Sequence, residues 1–168
     1  MTTPYEAVQE FHAHFDPIPH QEVTPLSKEV AEYRSGFKVE EILEFLYAAS
    51  NGDVESFKES VAYLQQGIAK EAEKIIQKEK VIDPVVDEAD ALIDLLYFTY
   101  GSFVMMNIDP APLFEIVHQA NMGKLFPDGK PRYHEVTGKV LKPENWEQDF
   151  APEQKLAEEI NKQRETKA

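Results

Sequence analysis

Cysteine is absent from this chain of 168 residues, and no run of apolar residues approaches the length of a membrane span. Without Cys the protein cannot form disulfides, use a thiolate nucleophile or bind zinc through sulfur. A transmembrane helix needs roughly 18 or more apolar residues, and the first residues lack the basic start and apolar run of a signal peptide. We therefore expect a soluble, cytoplasmic protein that forms a single domain over residues 1–168.

Basic residues are also scarce, since 17 Lys and Arg stand against 31 Asp and Glu and give a formal net charge of −14. This charge argues against binding to nucleic-acid polymers and to anionic membranes. Residues 124–142 are the exception, because five basic and two acidic side chains make this segment positive. An acidic body beside a short basic segment suits a metal ion on the first and a small phosphate-bearing anion on the second.

The spacing of apolar residues predicts an all-α fold, a helical bundle of about five core helices. Apolar residues recur three and four positions apart, whereas alternation over five or more residues is rare. Proline residues and an Asn-Gly pair separate the segments. The predicted core helices span residues 5–15, about 26–50, 54–76 with a charged tail at residues 78–80, 85 to about 106 and 112 to about 125, and a peripheral charged helix follows at about 152–165.

Two of these helices are expected to supply much of the core. On the second, Val30, Tyr33 and Phe37 are predicted to face inward. The fourth is apolar on most of its circumference, which predicts a central place in the packing. Between the fifth and the terminal helix we expect a basic loop or small hairpin, with candidate short strands at residues 133–136 and 139–142 around a Thr-Gly turn.

Acidic residues interrupt the second and fourth helices. At about 100° per residue, each group of acids shares one helix face, where like charges repel. A divalent cation bound between the two faces would turn this repulsion into attraction. Oxygen ligands favour Mg²⁺, Mn²⁺ or Ca²⁺ over zinc, and Mg²⁺ is the usual partner of phosphate substrates. We call these groups the first acidic stripe (Glu40, Glu41 and Glu44) and the second acidic stripe (Asp87, Asp90 and Asp94).

Two hypotheses compete with a divalent cation bound between the stripes. A solvated acidic face accounts for either stripe alone but fits less well with two stripes inside apolar helices. A ferritin-like di-iron bundle needs two Glu-x-x-His motifs, and only one, at residues 115–118, is present. Glu115 and His118 are more simply interpreted as a pair on a helix surface.

Around both stripes the sequence resembles the all-α NTP pyrophosphohydrolase superfamily, the MazG-like and dimeric dUTPase-like enzymes. Its signature, E-E-x-x-E followed one helix later by E-x-x-D, corresponds here to residues 40–44 and 87–90. The resemblance extends to a branch marked by EFHxxF, ADALxDLLYxxYG, IDxxPLF and NMxKLxxDGKP. These four motifs occur at residues 10–15, 89–101, 108–114 and 121–131, so the resemblance covers roughly residues 5–145.

The resemblance implies a homo-oligomer, a dimer or a tetramer, that hydrolyses a nucleoside triphosphate to the monophosphate and pyrophosphate with Mg²⁺ or Mn²⁺. Glu40 would orient or deprotonate the attacking water, or serve as a further ligand. Asp87 stands where the motif has its first Glu, so Glu88 and Asp94 are alternatives to Asp87 as a metal ligand. The metal ligands that the resemblance implies are Glu41, Glu44, Asp87 and Asp90.

The basic residues are the candidate phosphate ligands. Asn121 and Lys124 match the NMxK motif, and Lys139 and Lys142 fall in the less sharply defined segment after it. Arg34 precedes the first acidic stripe by under two helical turns and lies near the same face. For isolated lysines, a solvated surface position is the alternative.

Aromatic residues are the candidate nucleobase contacts. Phe11, Phe15 and Tyr97 are candidate stacking partners, although aromatic residues at helical spacing more often form core. The resemblance suggests a pyrimidine deoxynucleotide such as dUTP or dCTP. Two alternatives remain: an enzyme like phosphoribosyl-ATP pyrophosphohydrolase, whose substrate carries the same triphosphate, and a non-catalytic helical oligomer that only binds metal.

Overall fold

The computed structural model describes residues 2–18, 22–78 and 80–167, and it confirms the all-α prediction. Seven helices and no strand form within these ranges. The five predicted core helices start and end within three residues of their expected bounds, and a short helix before the last one is an addition to the predicted set. The helices are α1 (Pro4–Phe15), α2 (Lys28–Ala49), α3 (Val54–Ile76), α4 (Pro84–Met105), α5 (Pro110–Met122), α6 (Trp146–Asp149) and α7 (Glu153–Lys167).

Side-chain caps fix the starts of several helices. At α1, the Thr3 hydroxyl accepts a hydrogen bond from the Glu6 N–H, and the Glu6 carboxylate accepts one from the Thr3 N–H. Helices α2, α3 and α5 are capped in a similar way. The side chain of the cap residue accepts a hydrogen bond from an N–H of the first turn, and the cap residues are Ser27, Asp53 and Asp109. Such a cap satisfies a donor that has no partner inside the helix and is worth about 1 kcal/mol.

The chain divides into two compact units. The terminal unit comprises Met1–Gln21 and Ile93–Ala168, and the central unit comprises Glu22–Leu92. Helix α4 therefore begins in the central unit and ends in the terminal unit. The two units differ in how much of their apolar surface is covered.

The terminal unit has a small core around α5, which packs against α1 and α7. The indole N–H of Trp146 donates a hydrogen bond to the Ala120 carbonyl at 2.8 Å, and the Tyr133 hydroxyl donates one to the Phe15 carbonyl. These bonds satisfy polar groups that the packing removes from water. The buried apolar residues are Ala7, Phe15, Leu113, Ala120 and Trp146.

Helix α7 is fastened to the loop that precedes α5. The side-chain amide of Gln163 accepts from the Asp109 N–H at 2.8 Å and donates to the Asp109 carbonyl at 3.0 Å. Lys167 Nζ donates to the Asn107 carbonyl at 2.7 Å. Leu156 and Ile160 are only half-buried, so polar bonds contribute much of the attachment.

The segment between α5 and α6 contains a hairpin with a single antiparallel bridge between Tyr133 and Val140. Gly138, with φ 66°, forms its turn. The candidate strands at residues 133–136 and 139–142 are therefore wrong as strands. The physical reason is that an isolated two-stranded ladder, with no third strand beside it, is marginally stable at best.

The central unit is a helical hairpin followed by the first turns of α4. Asn51 and Gly52 both have positive φ and reverse the chain between α2 and α3, which pack against each other. The Glu88 carboxylate accepts a hydrogen bond from the Leu26 N–H at 2.9 Å and thereby ties α4 to the segment before α2. None of the described residues of this unit is buried.

The core predicted on α2 and α4 is therefore not a core within one chain. Val30, Tyr33 and Phe37 are all exposed, and α4 has no buried residue. The apolar periodicity of both helices is as expected, but no described element of the same chain covers these faces. Periodicity shows that a helix has an apolar face and does not show what covers it.

No single helix in the described ranges is long and apolar enough to cross a bilayer. Helices α4 and α5 have the length and apolar composition of a membrane span only when taken together, and they are bent by 117° relative to each other. The acidic residues of α4 explain why it does not meet them alone. The cytoplasmic location stays a prediction.

Candidate functional site

Helices α2 and α4 carry the two acidic stripes with all six carboxylates exposed. On α2, the spacing of Glu40, Glu41 and Glu44 places the three side chains within about 100° of the helix circumference. In the described part of the chain, none of the six carboxylates pairs with a Lys, Arg or His side chain. The repulsion expected within each stripe is therefore uncompensated in one chain.

The described residues of one chain do not combine the acids of the two stripes into a metal site. Among residues 2–18, 22–78 and 80–167, no three Asp, Glu or His side chains lie close enough together to hold a metal ion. Helix α2 packs against α3, and the bond from Glu88 reaches the segment before α2. At 1.5 Å per residue, the first acidic stripe begins roughly 20 Å further along α2. The described residues of a single copy thus do not assemble a metal site.

The chemistry of the donors nevertheless fits a hard divalent cation. The candidate ligands are all carboxylates, and neither stripe has a basic partner among the described residues that would compete with a metal. Other acids of the central unit differ, since Glu55 pairs with Lys58 at 2.8 Å and Glu71 pairs with Lys74 at 2.6 Å. The acids of the two stripes therefore keep oxygen atoms available for a metal.

Glu88 has a different environment from the acids around it. It is half-buried, and its carboxylate accepts the hydrogen bond from the Leu26 N–H. Asp87 and Asp90 accept no such bond from the described residues. Glu88 is therefore engaged in the link to Leu26, whereas Asp87 and Asp90 are not.

Arg34 lies on α2 near the first acidic stripe. Its guanidinium is 6.0 Å from the centroid of the Phe37 ring, and the Tyr33 and Phe37 rings meet edge to face with centroids 4.8 Å apart. Arg34 precedes Glu41 by seven residues, which places both on one side of the helix. The guanidinium is exposed and able to bind a phosphate group.

Three of the candidate phosphate ligands come together in the terminal unit. Lys124 Nζ donates a hydrogen bond to Asn121 Oδ1 at 2.7 Å. Burial lowers the pKa of Lys124 below its usual value, and the charge of Lys142 lowers the pKa further. Lys142 lies 3.6 Å from the centroid of the Trp146 ring and pairs with Glu147 at 3.0 Å. We call Asn121, Lys124 and Lys142 the basic cluster.

The basic cluster has the electrostatics of an anion site. Lys124 is half-buried, and its described partner is a neutral amide oxygen rather than a carboxylate. An anion beside Lys124 and Lys142 would relieve both the desolvation and the repulsion between the two ammonium groups. Lys139 lies apart in the exposed hairpin turn, and its side chain forms no bond with the other described residues.

The candidate nucleobase contacts have different environments. Phe15 is only 4% exposed and is a core residue. Phe11 is half-buried and stacks on it, with ring centroids 4.3 Å apart. Tyr97 is 75% exposed, and its ring meets Phe98 edge to face. Of the three, only Tyr97 presents an open ring face.

An open cleft of about 510 Å³ lies beside Glu44, between α2 and α3. The rings of Tyr47 and Phe57, which line it together with Leu43 and Ala48, meet edge to face with centroids 5.3 Å apart. This aromatic pair is absent from the residues predicted from the sequence. Its signal is the position of Tyr47, which follows Glu44 by three residues and Glu40 by seven and therefore continues the face of the first acidic stripe.

His118 is not a surface residue, contrary to the expectation. It is 8% exposed, and its Nε2 lies 3.3 Å from a carboxylate oxygen of Glu10 on α1. Glu115 instead accepts a hydrogen bond from the Gln119 side chain at 2.8 Å. A buried imidazole needs a polar partner, and the packing of α1 on α5 supplies one that no local spacing in the sequence indicates.

The comparisons with known proteins agree with this arrangement of elements. Residues 8–121 match the family model of phosphoribosyl-ATP pyrophosphohydrolase. The chain is also similar to the crystal structure of a candidate NTP pyrophosphohydrolase from Exiguobacterium sp. 255-15, with a TM-score of 0.91 and 34% identity. The similarity covers 99% of this chain and 98% of that one. No curated protein matches the chain.

Proposed function

Because the chain belongs to the phosphoribosyl-ATP pyrophosphohydrolase family, we propose that it hydrolyses a nucleoside triphosphate to the monophosphate and pyrophosphate in a reaction that requires Mg²⁺. The family is part of the MazG-like all-α NTP pyrophosphohydrolases, and the chain is a nucleotide pyrophosphohydrolase. The observation that carries the metal requirement is the presence of two acidic stripes, on α2 and α4, whose carboxylates have no basic partner among the described residues. Both stripes lie inside the range that matches the family model.

The metal would be held by carboxylates of both stripes, with Mn²⁺ as a substitute for Mg²⁺. When bound, such an ion supplies positive charge against the phosphate oxygens and Lewis acidity toward water. The available oxygen atoms of these acids support this role, and Asp94 is a less favoured further ligand. The proposed ligands are Glu41, Glu44, Asp87 and Asp90.

Glu40 is the proposed group that orients the attacking water or accepts its proton. Its carboxylate is exposed and has no partner among the described residues. It is adjacent to Glu41 in sequence but rotated by about 100° on the helix, so it lies beside the ligands without duplicating their position. A carboxylate within hydrogen-bond reach of the water can serve as general base.

The basic cluster would bind the outer phosphates. Cleavage leaves pyrophosphate as a highly charged product, and ammonium groups stabilise the negative charge that develops on it. The half-buried Lys124 is the strongest member because its described partner is neutral. Arg34 is a further phosphate ligand, whereas the exposed position of Lys139 gives it no support from the structure.

For the substrate we propose a pyrimidine deoxynucleotide of the dUTP or dCTP type. The base would contact Tyr97, or the pair Tyr47 and Phe57 beside Glu44. The second candidate is phosphoribosyl-ATP, which is favoured by the description of the family model that matches residues 8–121. Both substrates present a triphosphate to the same acids, so the base and sugar contacts decide between them.

A substrate panel tests the proposal. The purified protein is incubated with Mg²⁺ and dUTP, dCTP, dTTP, ATP, GTP or phosphoribosyl-ATP, and pyrophosphate and orthophosphate are measured separately. We expect pyrophosphate from at least one substrate and none after EDTA treatment. Release of orthophosphate alone would contradict the reaction. Saturable Mg²⁺ binding without turnover of any substrate would favour a non-catalytic metal-binding oligomer.

The protein is proposed to act as a homo-oligomer, a dimer or a tetramer. The central unit exposes large apolar side chains along both α2 and α3. Monomeric proteins rarely leave contiguous apolar patches of more than a few hundred Å² in contact with water. Light scattering at micromolar concentration should therefore give a multiple of 19.2 kDa, and a fully active monomer would contradict the proposal.

A further inference from the structure

We propose that each metal site is shared between two copies of the chain, so that the first acidic stripe of one copy faces the second acidic stripe of its partner. This inference rests on the proposed function and deepens it, because it states where the ligands of one site come from. If each site takes ligands from two copies, the protein must associate in order to bind the metal.

The first step of the argument is that one chain does not gather the ligands. In the described residues no three candidate ligands come close together. The link from Glu88 to Leu26 holds the start of α4 near the start of α2, whereas the first acidic stripe lies about twelve residues further along that helix. The carboxylates of both stripes still have oxygen atoms available.

The second step concerns the apolar side chains that border the stripes. On α2, Phe37, Ile42 and Phe45 lie between and beside the acids and are exposed, Phe45 to 55%. On α4, Val86 and Leu92 border the acids in the same way. Each stripe therefore lies within an apolar surface that water does not favour. Covering one of these surfaces buries acids together with apolar groups.

The third step identifies what covers these surfaces. Among the described residues, two exposed apolar faces border an acidic stripe, one on α2 and one on α4. In a two-fold symmetric pair, α2 of each copy covers α4 of the other, so that both faces are closed in one assembly. At roughly 80 Å² for each half-exposed large side chain, about ten such residues provide the roughly 800 Å² per partner that a stable interface buries. A second copy of this chain is therefore the occupant that we propose.

The fourth step is electrostatic. Bringing the two acidic stripes together without a cation concentrates negative charge in a partly dry interface, which opposes association. A divalent ion bound by acids of both copies reverses this effect. Metal binding and association are therefore linked, and each strengthens the other. With Mg²⁺ at ten times its dissociation constant on two sites, the dimer should be about 100-fold tighter than in EDTA.

Hybrid oligomers test the inference. Glu41→Gln and Asp90→Asn chains carrying different affinity tags are refolded together, and hybrids are isolated by successive capture on both tags. In a hybrid with shared sites, one site contains both substitutions and the other contains neither. Electron paramagnetic resonance of bound Mn²⁺ should therefore show half of the wild-type binding, whereas each variant alone shows none.

The matched control is a hybrid of Glu41→Gln with Glu44→Gln. Both substitutions lie on α2, so every site of this hybrid carries one of them wherever the second acidic stripe comes from. No Mn²⁺ binding should return. The circular dichroism of each variant verifies that the helices form, and Glu44→Gln with Asp87→Asn serves as a second complementing pair if a chain of the first pair does not fold.

The outcomes separate this inference from the proposed function. If the variants lose Mn²⁺ but the complementing hybrid does not regain it, each site lies within one chain and the inference is overturned. Failure of the wild-type chains to associate also overturns it, because a different partner must then cover the apolar faces. If wild-type protein binds no Mn²⁺, or if Glu41→Gln binds it fully, the metal assignment of the proposed function fails as well.

Discussion

The terminal and central units of this chain bury their apolar residues to very different extents. The terminal unit buries Phe15, Leu113 and Trp146 around α5, whereas none of the described residues of the central unit is buried. The central unit nevertheless carries the complete first acidic stripe, with Asp87 and Asp90 of the second. The difference indicates that the terminal unit supplies its own core, whereas the described residues of the central unit, which carries most of the acids, form none within one copy.

The two units also differ in the chemistry that they offer. The central unit presents carboxylates without basic partners among the described residues, and the terminal unit presents the basic cluster, in which Lys124 bonds a neutral amide oxygen. A triphosphate bound with a metal needs both kinds of group. Each of the following predictions tests one side of this comparison against the other.

The largest expected effect is on the core of the terminal unit. Trp146 is 5% exposed and donates its indole N–H to the Ala120 carbonyl. Trp146→Ala should lower the free energy of unfolding by about 3–5 kcal/mol. Phe45→Ala on α2 should instead act mainly by weakening association. Urea unfolding at two protein concentrations distinguishes the two variants, because only the destabilisation by Phe45→Ala should grow when the protein is diluted. Equal dilution effects would remove the distinction between the units.

Glu41→Gln and Asp90→Asn are expected to affect hydrolysis more than folding. Each replaces a proposed metal ligand by an isosteric neutral group and should lower kcat/KM by at least about 100-fold, since the loss of a charged ligand removes stabilisation of the transition state. The helical circular dichroism should stay unchanged. Glu59→Gln, at an exposed acid on α3 outside both stripes, is the matched control and should keep full activity. A fully active Glu41→Gln protein would refute the ligand assignment.

Glycine substitutions should have opposite effects in the two units. A Cβ atom at Gly123 would approach the Phe150 ring closely and lie 2.8 Å from its Cβ, so Gly123→Ala should cost about 1–3 kcal/mol of stability. At Gly67, within α3, nothing lies within 4 Å of the added atom. Gly67→Ala should therefore stabilise the helix by about 0.5–1 kcal/mol. Thermal unfolding of both variants measures the contrast, and destabilisation by Gly67→Ala would show that a partner packs closely there.

A smaller effect than that of the proposed metal ligands is expected for Lys124. Lys124→Ala should raise KM by about tenfold without changing Mn²⁺ binding, because it removes one charge-assisted bond to phosphate. The pKa of Lys124 is lowered by burial and by Lys142, so pyrophosphate affinity should decline with rising pH before an ordinary lysine loses its proton. Lys124→Arg keeps its charge throughout and should abolish this decline. Titration calorimetry at several pH values checks both statements, and a wild-type profile equal to that of Lys124→Arg would contradict them.

Local features of the sequence are sufficient to locate the helices. Asp53 has the position and residue type of a cap for α3, and its side chain accepts a hydrogen bond from the Ser56 N–H at 2.8 Å. The Asn51-Gly52 turn likewise falls where the sequence indicates it, because positive φ is most accessible to these residues. Caps and turns are determined by residues within a few positions, so one sequence suffices to predict them.

Burial and long-range pairing are not predictable in the same way. His118 is predicted to form a surface pair with Glu115 and is instead buried against Glu10, 108 positions earlier in the chain. Trp146 lies in a segment with the composition of a loop, yet it is part of the core. Tyr33 and Phe37 have the spacing of core residues and are exposed in one chain. In each case the environment depends on which elements pack together in space, which local spacing does not identify.

The order of helices, the two groups of acids and the family were therefore determined by the sequence itself, because helix propensity, capping and side-chain spacing act within a few residues. The tertiary structure decided three other features. It brings Lys124, Asn121 and Lys142 together, buries His118 against Glu10, and assembles no metal site from the acids of α2 and α4 among the described residues of one copy. These depend on which helix faces meet in space, and that choice is made by packing over the whole chain rather than by neighbouring residues.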